Sequence, residues 1–191
     1  LSDTNVDASN VDAVANAIDG VLTATITTGE VKATLDAITN VNANDNITFT
    51  TTDTTVDASD LVDLNAKVDT FGVDTITDIT ESYNTTNVAT EVVNALNITG
   101  NTEKVLITGG SLSASDVNTI SAATTGVVTA IVTAAAASTL ASALTNTDTN
   151  DVLTITVNAE TGGVATSASD LVSLNGDTNQ VITMSAVTSV S

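Results

Sequence analysis

One phrase recurs along this chain and limits what it can become. Val56-Asp57-Ala58-Ser59-Asp60-Leu61-Val62 returns as Leu112-Ser113-Ala114-Ser115-Asp116-Val117-Asn118 and again as Thr166-Ser167-Ala168-Ser169-Asp170-Leu171-Val172. A weaker copy stands at Val6-Asp7-Ala8-Ser9-Asn10-Val11. The starts, at 6, 56, 112 and 166, are 50, 56 and 54 residues apart. Self-similarity at such a period marks a stacked architecture, in which each unit buries its apolar face against the next. The expected organisation is one repeat array over residues 1–191, with full periods near 6–55, 56–111 and 112–165 and a partial one at 166–191.

Each period reads as two strand-then-helix units. β-branched runs with alternation predict strands at Val21–Thr27, Asn46–Thr50, Val73–Ile79, Val105–Thr108, Val127–Thr133, Val152–Val157 and Val181–Met184. Between them lie helical patterns: Asp7–Ile18; Val31, Leu35 and Ile38 within Glu30–Thr39; Val88, Val92 and Leu96; Leu140 and Leu144. The recurring phrase opens a second helix type. Ser59 or Asp57 is placed to cap it, and Asp60 falls in the first turn, where the helix dipole favours a carboxylate. Asn/Asp/Gly clusters at 42–46, 100–103 and 146–151 supply the turns. Strands joined by helices lie parallel, and such crossovers are almost always right-handed. The expected fold is α/β: a right-handed solenoid of about seven strand–helix repeats with a parallel β-sheet on one wall.

Composition fits thin layers. The chain is 42% hydrophobic, drawn from Val, Ile, Leu and Ala, while Phe49, Phe71 and Tyr83 are its whole aromatic set. That much aliphatic surface offsets the entropy of ordering, which argues against disorder. No apolar run is long enough to span a membrane. The chain opens Leu1-Ser2-Asp3-Thr4-Asn5, without a basic-then-apolar signal, which suggests a mature or excised piece. It opens in a helix and closes in a strand, so the expectation is a cut from a longer array or copies that join head to tail.

Charge narrows the partners. There are 23 acids against 3 bases, Lys32, Lys67 and Lys104, giving a net charge of −20. Nucleic acid and anionic membrane surfaces are thereby disfavoured, and cations are favoured. Cysteine and histidine are both absent, which removes disulfides, thiolate zinc sites and the commonest general base. Calcium is the one cofactor the acids suggest, without a formal motif. Asp148-Thr149-Asn150-Asp151 lacks the Gly and Glu of an EF-hand, and Gly109-Gly110 and Gly162-Gly163 lack the rest of a calcium roll. The candidate metal ligands are Asp60, Asp116 and Asp170 as a ladder, with Asp45, Asp148 and Asp151 in acidic loops. A helix cap with a first-turn acid is a sufficient structural reason for the ladder residues. No catalytic set stands out: carboxylate-only glycoside chemistry lacks its aromatic platforms here, so the chain is read as no enzyme. Thr-x-Thr at 25/27, 48/50 and 154/156 is too irregular for an ice-binding face, and the sequons at Asn46, Asn84 and Asn97 read as chance.

Thr124-Thr125-Gly126-Val127-Val128-Thr129-Ala130, Ser138-Thr139-Leu140-Ala141-Ser142-Ala143-Leu144 and Ala168-Ser169-Asp170-Leu171-Val172-Ser173-Leu174-Asn175 carry a resemblance. They are similar to the repeats of giant bacterial extracellular surface proteins, cyanobacterial ones above all. The resemblance covers most of the chain and implies export without a cleaved signal and a place at the cell surface, in a surface layer or matrix. It transfers no catalytic residue. The expected role is an extracellular structural repeat that forms or joins a filament, surface layer or matrix by head-to-tail self-association or by stacking on neighbouring repeats. Cell-surface glycans are further candidate partners. The alternative is a secreted calcium-binding adhesion module whose folding is ion-linked.

Overall fold

A computed structural model describes residues 5–83 and 87–191. One or two strands separate each helix from the next. The order is α1 (Ala8–Ala17), β1 (Thr23–Thr25), α2 (Val31–Ala37), β2 (Asn46–Thr50), β3 (Thr55–Asp57), α3 (Ala58–Asn65), β4 (Thr70–Gly72), β5 (Asp78–Ser82) and α4 (Val88–Thr99). Then come β6 (Lys104–Leu112), α5 (Ala114–Ala123), β7 (Val128–Val132), β8 (Ala135–Ala136), α6 (Ala137–Ala143), β9 (Val152–Thr154), β10 (Thr156–Asn158), α7 (Ala168–Gly176) and β11 (Thr183–Ser185). The fold is α/β, with seven α-helices among the described residues.

Every strand pairing among the described residues is parallel, and each joins one strand–helix unit to the next. The strands form three sheets, ordered β1-β2-β4, β3-β5-β6-β7-β9 and β8-β10-β11. This corrects the expectation of a single sheet on one wall. The chain turns inside a unit, so one unit serves two sheets: β2 and β3 are split at Thr51–Thr54, and β9 and β10 at Ile155. In β6 the register shifts between Leu106 and Ser111, where Gly109 takes φ +83°.

Helices pack in chain order, α1 on α2 through to α6 on α7. None exceeds 12 residues, so their stability comes from the face they bury. Each contributes a fully covered aliphatic side chain: Val11, Val31, Leu61, Val92, Val117, Leu140 and Leu174. Opposite stand Ile47, Phe49, Ile79, Val105, Val128 and Leu153 from the strands, with Ile155 between β9 and β10. Among the described residues the one aromatic contact, Phe49 on Phe71 with centroids 5.7 Å apart, lies across the β2–β4 pair.

Two readings shift. Of the run Val73–Ile79, only Asp78 and Ile79 lie in a strand. Ile76 N–H bonds Val73 C=O in a turn, β4 ends just before the run, and β5 begins within it at Asp78. Asp-Thr pairs supply an alternation that turns share with strands. The brief strands β3 and β8 run straight into α3 and α6, too short to leave a pattern of their own.

Candidate functional site

Asp60, Asp116 and Asp170 each occupy the first turn of a helix, α3, α5 and α7 respectively. The cap is the residue before the alanine in every case. Asp57 accepts from Ser59 and Asp60 N–H, Ser113 from Asp116 N–H, and Ser167 from Asp170 N–H. Of the two expected caps, Asp57 holds that place. Ser59 lies inside the helix and donates its hydroxyl to Asp57 at 2.6 Å. Burial raises the Asp60 carboxyl above its ordinary range, and the attraction of Lys32 only partly offsets this. Because α4 packs between α3 and α5, and α6 between α5 and α7, the motif acids are separated by two helix spacings, roughly 16–20 Å. They do not meet at one point.

The loop acids behave differently. Asp45 and Asp151 are buried, and each ties two units together. Asp45 Oδ1 accepts from Leu22 N–H at 2.9 Å, and Asp151 Oδ1 accepts from Val128 N–H at 2.8 Å. Their second oxygens close their own turns, accepting from Asn42 and Asp148 N–H. Asp148 is exposed and accepts from Asn150 N–H, as Asn42 does from Asn44 N–H. The loops 42–45 and 148–151 thus share one hydrogen-bond design, 106 residues apart.

The same offset recurs at the helix ends. Asp12 on α1 accepts from Asn40 N–H, and Asn118 on α5 accepts from Asn146 N–H. Helices α1 and α2 reappear as α5 and α6 at that spacing. After α6 the offset grows to 110, taking α3 at Ala58 to α7 at Ala168, because a 3-10 turn enters at Thr161–Gly163. Residues 8–65 and 114–176 are therefore two copies of one design.

Sequence reasoning passed over a further set of acids. Asp53 accepts from Val31 N–H at the start of α2, Glu81 from Ser59 N–H in α3, and Glu160 from Ser138 N–H in α6. Each carboxylate lies 22 residues beyond the helix it caps, in the following unit. Helix N-termini carry free N–H groups and partial positive charge, so these acids both pair donors and complement the dipole. Glu81 is only 3% exposed. Burial, with repulsion from Asp57 and Glu91, pushes its carboxyl up to about 7, against the hydrogen bonds from Ser59 and Ser82 N–H. A recurring 22-residue interval between helix start and acid was the available signal.

Among the described residues, no group of three or more acidic side chains is placed to hold a metal ion. Three buried polar atoms there lack hydrogen bonds: Ser121 Oγ, Thr147 Oγ1 and Asp177 Oδ2. Ser121 borders a surface pocket of about 320 Å³, together with Asp148 and Asp151. The pocket floor needs glycine at 126, where a Cβ would fall 2.1 Å from the Glu103 carbonyl oxygen. Of the three sequons, Asn84-Thr85-Thr86 lies outside the described residues.

Comparison with protein-family models, curated proteins and solved structures finds no match for this chain.

Proposed function

We propose that this chain is an extracellular structural repeat protein: a right-handed solenoid of strand–helix units that contributes to a filament, surface layer or matrix. The observation that carries this reading is the open edge of the last sheet. Among the described residues, β11 pairs with β10 alone, by the same parallel contact that joins the units before it. Its surroundings keep large aliphatic side chains in solvent, with Val181 91% and Met184 55% exposed, and Val172 and Val190 exposed as well. An unpaired strand edge beside apolar surface is a template for another parallel strand. The units inside the chain already join by that kind of contact. At the other end Ile18 and Val21 are also exposed. No helix among the described residues is long and apolar enough to cross a membrane.

Sedimentation and negative-stain electron microscopy over rising concentration test the proposal. Rods that lengthen in steps of one chain are the expected result, and Val181→Lys with Met184→Lys stops the growth. Single short particles at every concentration overturn it.

A further inference from the structure

The two copies differ at one corner, where each helix hands the chain on to the next strand. In the first copy the corner positions are Ala15 on α1, Val41 after α2 and Lys67 after α3. In the second they are Ser121 on α5, Thr147 after α6 and Asp177 after α7. The backbone fixes these equivalences. Val41 and Thr147 follow Asn40 and Asn146, which are held alike by Asp12 and Asn118. Lys67 and Asp177 both send their N–H back to the third residue before them, Leu64 and Leu174.

What fills the corner is opposite in kind. In the first copy Val41 is a buried aliphatic, and Lys67 places its ammonium on the Val41 carbonyl at 3.2 Å. In the second copy a carboxylate replaces the lysine and a hydroxyl replaces the valine. Among the described residues, the buried side-chain atoms without a hydrogen bond are these three: Ser121 Oγ, Thr147 Oγ1 and Asp177 Oδ2. Ser121 is 9% exposed and Asp177 8%. The Ser121 hydroxyl lies near the Asp151 carboxyl and the Thr147 hydroxyl near that of Asp177, close enough to favour their ionised forms, but neither contact has hydrogen-bond geometry.

Buried polar atoms without partners are costly, and two buried acids without a base are more so. Burial raises both the Asp151 and Asp177 carboxyls above their ordinary range, and Asp151 pushes Asp177 up further. Lys104 borders the neighbouring pocket but forms no ion pair with either acid. The first copy supplies a positive charge of its own at this place, and the second presents only oxygen.

We propose that Ser121, Thr147, Asp151 and Asp177 form a calcium site, in which the ion takes the place that the Lys67 ammonium holds in the first copy. Two carboxylates, two hydroxyls and nearby carbonyls suit a hard cation with flexible oxygen coordination. The dication cancels both acids and satisfies the orphaned oxygens in one step. The pocket at Ser121 and Asp151 gives it an entry. This site is independent of assembly: a chain that never forms rods still binds the ion.

The test is titration of the intact chain with calcium chloride, by calorimetry and by thermal melting, with ionic strength held constant by sodium chloride. Magnesium chloride is the second arm, since a chain of this charge responds to any salt through screening. One calcium per chain is expected, with a melting point raised beyond the sodium and magnesium controls. Asp177→Asn weakens calcium binding by at least about tenfold, the loss expected for removing a charged ligand. Asp177→Lys installs the first copy's solution, so it melts above the parent without calcium and gains nothing from it. In reverse, Ala15→Ser, Val41→Thr and Lys67→Asp together create a second binding event. Calcium binding that survives unchanged in Asp177→Asn, or no response beyond the salt controls in the parent chain, overturns the proposal.

Discussion

The two copies keep one backbone and diverge in how they treat charge at equivalent positions. Helices α1–α3 and α5–α7 match in order and nearly in length, and the acids Asp45 and Asp151 make the same bonds in each. Around them, the first copy uses a charged Asp12 and a lysine where the second uses a neutral Asn118 and an aspartate. Hydrogen-bond geometry is thus retained by the backbone and the turn residues, while electrostatics is free to vary. A position that must accept from N–H groups tolerates either Asp or Asn. A position that faces a buried corner sets what else has to bind there.

The sharpest challenge to that comparison is to delete the shared acid in each copy. Asp45→Ala leaves Leu22 N–H buried and opens the 42–45 turn, a loss of about 2–4 kcal/mol in urea unfolding. Asp151→Ala removes the same bonds but also relieves the repulsion with Asp177, so its loss is smaller. Equal losses would show that the second corner is not strained by charge.

Glu81 sets the next largest effect. Its carboxyl binds a proton more tightly in the folded chain than in the unfolded one, so the stability it confers is full below the ordinary carboxylate range and is lost as pH rises through about 7. Stability, and the melting point with it, should therefore fall between about pH 4.5 and 7, by about 3 kcal/mol from this one group. Glu81→Gln flattens that part of the profile. An unchanged slope in the variant would place the effect elsewhere among the acids.

Asp12 and Asn118 give a third comparison with the opposite sign. Burial opposes ionisation of Asp12, but bonds from Asn40, Thr39 and the Val41 N–H outweigh it and hold the carboxyl below its ordinary value. Its contribution is present above the ordinary carboxylate range and is lost as pH falls through the lowered value. Asp12→Ala and Asn118→Ala each cost about 1 kcal/mol near neutrality. Only the Asp12→Ala cost shrinks in strong acid, as urea midpoints at low pH will show.

The smallest effect separates the caps. Glu160→Ala exposes donors at the start of α6 that water already reaches, and costs about 0.5 kcal/mol. Asp53→Ala acts on the part-buried start of α2 and costs about 1 kcal/mol or more. Reversal of that order, measured by thermal melting, would mean that burial does not decide what a cap contributes.

Local structure was legible where period and capping agreed. Asn46–Thr50 is the strand its alternation predicts, and α3, α5 and α7 begin where the repeated phrase places them. Bonds between units were not legible. Asp53 to Val31, Glu81 to Ser59 and Asp12 to Asn40 span 22 to 28 residues, and nothing local to either partner announces the other. The three-sheet division was hidden for a related reason. A turn such as Val73–Ile76 and a strand such as Asp78–Ser82 draw on the same Asp, Thr and Ile, and tertiary contact decides between them. Of the six acids singled out, Asp45 and Asp151 are bound into turns, and Asp177, the buried acid that Asp151 repels, comes from a helix end that no motif marked.

The 22-residue delay between a helix and its borrowed cap gives the molecule a direction in time. A chain emerging from a ribosome presents α2, α3 and α6 before the carboxylates that complete them have been made. Helix α3 already has Asp57 as a local cap, but α2 and α6 lack one until the following stretch is made, so their ordering trails elongation by about one unit. Trimming from the C-terminus strips a finished helix of its cap, whereas trimming from the N-terminus leaves every remaining cap in place. Loss of a C-terminal unit therefore bares helix starts, whereas loss of an N-terminal unit bares helix ends such as Asn40, which Asp12 holds, so the two ends come apart by different first steps.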